Sequence, residues 1–353
     1  MYVICFCYFF YLKLFFLSKI YMKIVIVGST LFDSMEYNLK EAFIQQGHSC
    51  SIVDISSSFC GSNKCFRIFD IFARRYSEIY DRNAFNKVFD NVVRCDPDLV
   101  IGVYRFIHPE LVRKVKNKGI RIIHINPDAL TTFELQQIFV EPYDAYFTKD
   151  PYIVHFMRDN MKLNVYHYNE AFNIRSHDKP NMEKSVCEKE VGIDVMTYGT
   201  MYPYRCRMLK CVLDAGIDIR IYGVKPNRFY DSSLNIAFQN KYIVGEEKAK
   251  LLYGSKIVFN QMHYAEIEGV NCRFFETNGS GAFQLSDYKP ILKDILPIDP
   301  ELVTFKNIDE AIVKIKYYLN NPTKRYEISR TIYDWFKSRY SYDNLVDIIL
   351  NKI

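Results

Sequence analysis

Tryptophan is nearly missing from this 353-residue chain, which has one, and metal-type cysteine spacing is missing altogether. Its ten cysteines (Cys5, Cys7, Cys50, Cys60, Cys65, Cys95, Cys187, Cys206, Cys211 and Cys272) form no Cys-x-x-Cys pair and no His/Cys cluster. That excludes a zinc module, and it fits a reduced, cytoplasmic setting with cysteines as small buried hydrophobes. Charge is also sparse in one sense: a net +5 with no concentrated basic stripe argues against a nucleic-acid partner. No full Gly-x-Gly-x-x-Gly follows the first apolar run, so the dinucleotide fingerprint is lacking. No Asp-x-Asp pair lies in a loop suited to a catalytic metal.

A long apolar run occurs at the start, MYVICFCYFFYLKLFFLSKIY, but Lys13 and Lys19 interrupt it and it falls short of a clean membrane span. MKIVIVGS follows with no room for a linker and reads as a buried strand. Residues 1–21 are therefore read as an apolar extension, either a mis-start before Met22 or an anchor, with Met22 the expected beginning.

What is present is a chain of two-domain length with 49% hydrophobic residues. Aromatic residues, 16% of the chain, are scattered rather than grouped as a stacking platform. From Met22 onward, short β-branched runs alternate with helical patterns. KIVIVG, SCSIVDI, DPDLVIGVY, IRIIHIN and YDAYFTKD read as strands of a parallel sheet. A helix over 35–46 ends at Gly47, and HPELVRKVKNKG has Pro near its start and Gly at its end. Residues 171–190 are polar and read as a linker. The alternation then resumes with GIDVMTYG, IDIRIYG, KIVFN and GAFQLSD as strands, and the tail over 323–353 is helical and amphipathic. The expectation is two doubly wound, Rossmann-like α/β domains, over 22–170 and 191–322, facing a cleft.

EGVNCRFFETNGSGAF carries Glu268 and Glu276, which a helix over 269–278 would place near one face. Carboxylates accept hydrogen bonds from sugar hydroxyls, and the small residues behind them permit a close backbone approach. A solvated helix face explains the spacing equally well. The surroundings add more: strand, His-containing loop, E-x7-E, Gly-rich turn and strand, in that order. This resembles the nucleotide-sugar half of GT-B glycosyltransferases of the family 4 type. NQMHYAEIEGVNCRFFETNGSGAFQLSDYKP is similar, more narrowly, to the C-terminal signature of CgeB-type (spore-maturation protein-like) glycosyltransferases. YFTKDPYIVHFMRD, MTYGTMYPYRCRMLKCVLDAGIDIRIYG and GEEKAKLLYGSKIVFN extend the likeness over roughly residues 95–345.

The resemblance implies a GT-B fold whose C-terminal helices cross back to the first domain. It implies transfer of a sugar from a nucleotide diphosphate sugar, held by the second domain, to an acceptor hydroxyl presented by the first. Retention of configuration is implied, and the diphosphate can be stabilised by arginines and a helix N-terminus without a metal or other cofactor. Glu276 would accept the ribose hydroxyls, Glu268 would sit beside the transferred sugar, and His263 lies where the family places a polar residue near that sugar. Asn271 and Arg273 fall in the family's Gly-x-Asn-x-Arg stretch. Family 4 enzymes often follow the glycine of the domain-opening loop with Arg and a nearby Lys. Here Gly199 precedes Thr200, which leaves Arg205 as the diphosphate candidate and Arg207 as its alternate. Gly279, Ser280 and Gly281 would bring backbone amides to the phosphates.

In the first domain, Gly28 and Ser29 follow the first strand at the cleft, and Asp128 is the candidate to assist the acceptor hydroxyl. His124 reads more readily as a core residue. Thr148, Lys149 and Asp150 end a strand, either lining the cleft or capping the helix that starts at Pro151. Arg113, Lys114, Lys116, Lys118 and Arg121 would suit contact with an anionic membrane surface or form a solvated face. The acceptor class (carbohydrate, lipid-linked or protein) stays open. Two rival readings are a nucleotide-sugar epimerase of the same fold and a non-catalytic nucleotide-sugar-binding protein.

Overall fold

The protein's structure, a computed structural model, describes residues 21–58, 64–129 and 135–353. The apolar extension lies outside them except for Tyr21. Two parallel sheets make up the molecule. The first contains β1 (Lys23–Gly28), β2 (Ser49–Asp54), β3 (Leu99–Gly102), β4 (Arg121–Asn126), β5 (Ala145–Thr148) and β6 (Val165–His167), in the order β2-β1-β3-β4-β5-β6. The second contains β7 (Ile193–Thr200), β8 (Ile219–Val224), β9 (Ser255–Asn260), β10 (Gln284–Asp287) and β11 (Thr304–Phe305), ordered β11-β10-β9-β7-β8. β1 and β3 are buried almost end to end, as strands covered on both faces must be.

Helices cover both sheets: α1 (Met35–Gln45), α2 (Lys64–Tyr76), α3 (Glu78–Arg94), α4 (Pro109–Asn117) and α5 (Pro151–His155) in the first domain. α6 (Lys184–Val191), α7 (Pro203–Asp214), α8 (Gly245–Gly254), α9 (Cys272–Gly279), α10 (Leu292–Ile295), α11 (Ile308–Leu319), α12 (Pro322–Arg339) and α13 (Tyr342–Leu350) follow. In each sheet the winding direction reverses beside its first strand, at β1/β3 and at β7/β9. Open α/β sheets leave a crevice beyond the strand C-termini at such a point.

The tail crosses back, as expected. α12 packs Ile328, Ile332 and Phe336 into the second core, whereas α13 sends Tyr342, Leu345, Val346 and Ile349 into the first. A capping box at Ser341 separates the two helices. The outgoing and returning chains meet there: Phe172 N donates to Tyr340 O at 3.0 Å and Tyr342 N donates to Phe172 O at 3.1 Å.

Two expectations change. The helix expected over 269–278 begins only at Cys272, because the Asn271 side chain accepts from Phe274 N and caps it there. Glu268 therefore lies outside the helix. The polar stretch over 171–190 is more than a linker, since α6 occupies its end and Asn173, His177, Lys184 and Glu188 are buried. Asn173 finds partners at the domain seam, where its Nδ2 donates to Asn38 Oδ1 (2.7 Å) and Glu41 Oε2 (2.6 Å), while Lys184 donates to Tyr253 O and Glu188 pairs with Arg325 within the second half.

Candidate active site

A cavity of about 350 Å³ opens between the two switch points. Asp33, Asp128 and Lys149 face it from the first domain, while Gly199, Thr200, Arg205, Lys248, His263, Glu266, Asn271, Arg273 and Glu276 face it from the second. Eight residues proposed from sequence thus converge: Asp128, Gly199, Thr200, Arg205, His263, Asn271, Arg273 and Glu276.

Gly199, next to last in β7, has φ +103, a conformation that L side chains resist, and an added Cβ would stand 3.3 Å from Arg273 Cδ. The bare backbone lets the Arg273 guanidinium lie across it. Arg273 donates to Tyr198 O (2.8 Å) and Gln261 O (2.6 Å), joining the ends of β7 and β9. Burial lowers its pKa to about 10, so it stays a cation at neutral pH. Arg205, on the first turn of α7, donates to Thr200 O at 2.8 Å and to Tyr204 Oη at 3.0 Å. Two fixed guanidiniums at the strand ends suit a diphosphate.

Glu276 accepts from Tyr198 Oη at 3.1 Å, and its other oxygen lies 3.1 Å from Lys248 Nζ. Burial opposes the Lys248 charge, but Glu276 and Asp33 raise its pKa. Asn271 lines the cavity while its side-chain oxygen caps α9 and accepts from Asn260 Nδ2. His263 accepts at Nδ1 from Ala265 N (3.1 Å), which leaves the neutral ring's proton on Nε2. Burial lowers its pKa, so the neutral form prevails. Tyr264 stacks on it at 4.5 Å, with Tyr202 and Tyr204 edge-on. Asp128, half-exposed, sits 3.7 Å from Arg105.

Six proposed residues do not reach the cavity, and each has a local reason. Glu268 points elsewhere because Asp150 Oδ2 accepts from the Ile267 and Glu268 amides (2.9 and 3.2 Å) and pins the loop. Two residues earlier, Glu266 takes the inward place. Gly279 faces the chain crossing, where a Cβ would stand 2.2 Å from Phe172 Cγ. The Ser280 and Gly281 amides donate to Glu276 O and Asn278 O, so they finish α9 rather than greet a phosphate. Gly28 and Ser29 also fall outside. A Cβ on Gly28 would collide with the Glu36 carboxylate, and Ser29 N donates to Glu36 Oε1 at 3.0 Å.

Sequence reasoning missed Asp33, Lys248 and Glu266, whose polar partners come from distant segments. It left Lys149 and Asp150 open, and the two readings divide between them. Lys149 lines the cavity, and Asp150 caps α5 by accepting from Tyr152 N (3.0 Å). His124 is a core residue with its pKa lowered to about 4 by burial. The basic run is largely consumed locally: Arg113 pairs with Glu110 and Glu141, and Lys114 bonds Asn86. Asp33, His177 and Glu276 place ligand atoms within 4.8 Å of one another, the one such grouping among the described residues. The Lys248 ammonium already bridges Asp33 and Glu276 there. Among the described residues no helix is long and apolar enough to cross a membrane.

The model of a glycosyl transferase-like family matches residues 205–351, which include most of α7, all of α9 and most of the cavity's second-domain lining. Sucrose-phosphate synthase from Thermosynechococcus elongatus superposes with a TM-score of 0.66 at 9% identity, covering 94% of this chain and 98% of that one. Anabaena HepE in complex with UDP-glucose gives 0.67 at 10% identity, over 94% and 100% of the chains. T4 phage BGT with its UDP-glucose substrate gives 0.60 at 14%, over 94% and 99%. The fold is GT-B. The second half of the chain is similar to that glycosyl transferase-like family over residues 205–351, and the cavity occupies the GT-B cleft. No curated protein sequence matches it.

Proposed function

We propose that this GT-B protein transfers a sugar from a nucleotide diphosphate sugar to an acceptor hydroxyl. One observation carries the reading: Arg205, Arg273 and Lys248 surround Glu276 at the second domain's switch point, with Asp128 opposite. Two guanidiniums suit the diphosphate, and Glu276 suits the ribose hydroxyls. The neutral His263 can donate from Nε2 to a sugar oxygen, and Glu266 faces the same space. The bond from the anomeric carbon to the phosphate oxygen breaks, and a bond from that carbon to the acceptor oxygen forms. The acceptor proton passes to the leaving phosphate, or by way of Asp128. Attack on the face the leaving group vacates retains configuration. Fixed cations that can take up the developing phosphate charge support a route without a metal. UDP-glucose in two similar structures makes a uridine donor the first to try.

The order of motifs around Glu276 supports the CgeB-type subfamily, with the reaction placed in the cytoplasm. Peripheral membrane contact through residues 113–121 is the weaker half of that reading, because those charges are partly paired. A thermal-shift screen of nucleotide sugars, on protein beginning at Met22, tests the site. Stabilisation that disappears in Glu276→Ala is expected. No stabilisation by any nucleotide or nucleotide sugar would overturn the reading, and turnover of donor without acceptor would favour an epimerase.

A further inference from the structure

Asp33 belongs to the first domain, yet its partners come from elsewhere. It sits in the β1–α1 loop at φ +67, a left-handed conformation uncommon outside glycine. Its side chain is 3% exposed and receives three donors from two distant segments. His177 Nε2 from the domain seam meets Oδ1, while Lys248 Nζ (2.7 Å) and Gly245 N (3.3 Å) from α8 meet Oδ2. Phe32 closes over Gly245, where a Cβ would stand 3.0 Å from its ring. Burial opposes the Asp33 charge, but His177 and Lys248 hold its carboxyl well below the usual range.

Lys248 is the pivot. Its ammonium reaches Asp33 in one domain and Glu276 in the other, and all three residues line the cleft. Given Lys248 to itself, Glu276 would be tied into one closed ion pair and would have less capacity to accept from a ligand hydroxyl. With Asp33 drawing the same ammonium, that pair is loosened and Glu276 is held toward the cavity. We propose that Asp33 is a positioning residue for the nucleotide: through Lys248 it sets the placement of Glu276, so binding in the second domain depends on engagement of the first. The inference rests on reading Glu276 as a nucleotide contact. It makes domain closure and donor affinity two faces of one equilibrium.

Isothermal titration of UDP, ADP and GDP into wild type, Asp33→Asn, Lys248→Met and the double variant tests it, with circular dichroism to check folding. Asp33→Asn is expected to raise the Kd of the nucleotide that binds by about tenfold. In the Lys248→Met background the same change is expected to have no further effect, because its route is gone. An independent structural role would instead multiply the two penalties and overturn the proposal. Asp33→Glu keeps the charge, is expected to weaken binding less, and replaces Asp33→Asn if that variant does not fold. An unchanged Kd in folded Asp33→Asn overturns the proposal equally. If wild type binds and Glu276→Ala does not, while Asp33 variants bind normally, this inference fails alone. If wild type binds none of the three, the proposed function fails with it.

Discussion

Lys149 Nζ and Glu266 Oε1 meet at 2.7 Å across the cleft, both with side chains less than 10% exposed. Glu170 stands 3.7 Å from the same ammonium on the other side. Burial opposes the Lys149 charge, but the two carboxylates outweigh it and raise its pKa well above the usual lysine value. One lysine thus balances an acid from the loop after β9 and an acid from the chain crossing.

Lys149→Met should leave both acids without their cation, costing about 3–5 kcal/mol of stability. Urea unfolding with circular dichroism detection measures it. The loss should shrink in acid, where the carboxylates take up protons.

Glu170 gives a pH signature of its own. Burial raises its pKa to about 7 from the ordinary 4.5, so the folded state prefers it neutral. That contribution is complete below the unfolded value and is lost as pH rises through about 7. Glu170→Gln should therefore flatten the decline in stability between those two values. A wild-type slope retained in the variant would assign the titration to another group.

Gly223 lies at φ +110 with an added Cβ only 2.3 Å from Gly199 O. Backbone oxygen cannot swing aside as a side chain does. Gly223→Ala should cost about 2–5 kcal/mol and disturb the Gly199–Arg273 contact. Thermal unfolding reads the first effect, and weaker UDP binding by calorimetry reads the second.

Leu345 is 2% exposed in the first domain's core, although it belongs to the last helix. Leu345→Ala should cost about 2–5 kcal/mol. Hydrogen exchange should show faster opening in β3 and β4, which belong to that core. Opening confined to the second domain would contradict the crossing-back role of α13.

Much of the strand order was legible because period and punctuation are local. β1, β4 and β9 read directly from KIVIVG, IRIIHIN and KIVFN. Glycine at 47 marks the turn out of α1, and His108 with Pro109 opens α4. α2 and α3, between β2 and β3, drew no expectation from the sequence. The candidate site was legible where a motif stays contiguous, as for Asn271, which caps α9, and Arg273 and Glu276 on it. It misled where spacing alone was used: Glu268 matches the E-x7-E pattern, but Asp150, far away in sequence, pins its amide and turns Glu266 inward. The Asn-Gly-Ser-Gly run likewise suggested a phosphate cradle. Its first glycine is small because Phe172 packs against it.

The linear chain is enough to specify two parallel α/β units, their helix caps and the cluster around Glu276, since each depends on neighbours a few residues apart. Tertiary structure alone decides that Asp33 and Lys149 belong to the same cleft as Lys248 and Glu266. Those contacts join charges more than a hundred residues apart, and buried charge survives only where an opposite charge is brought to it. No local pattern announces such a partner; the packing of one domain against the other supplies it.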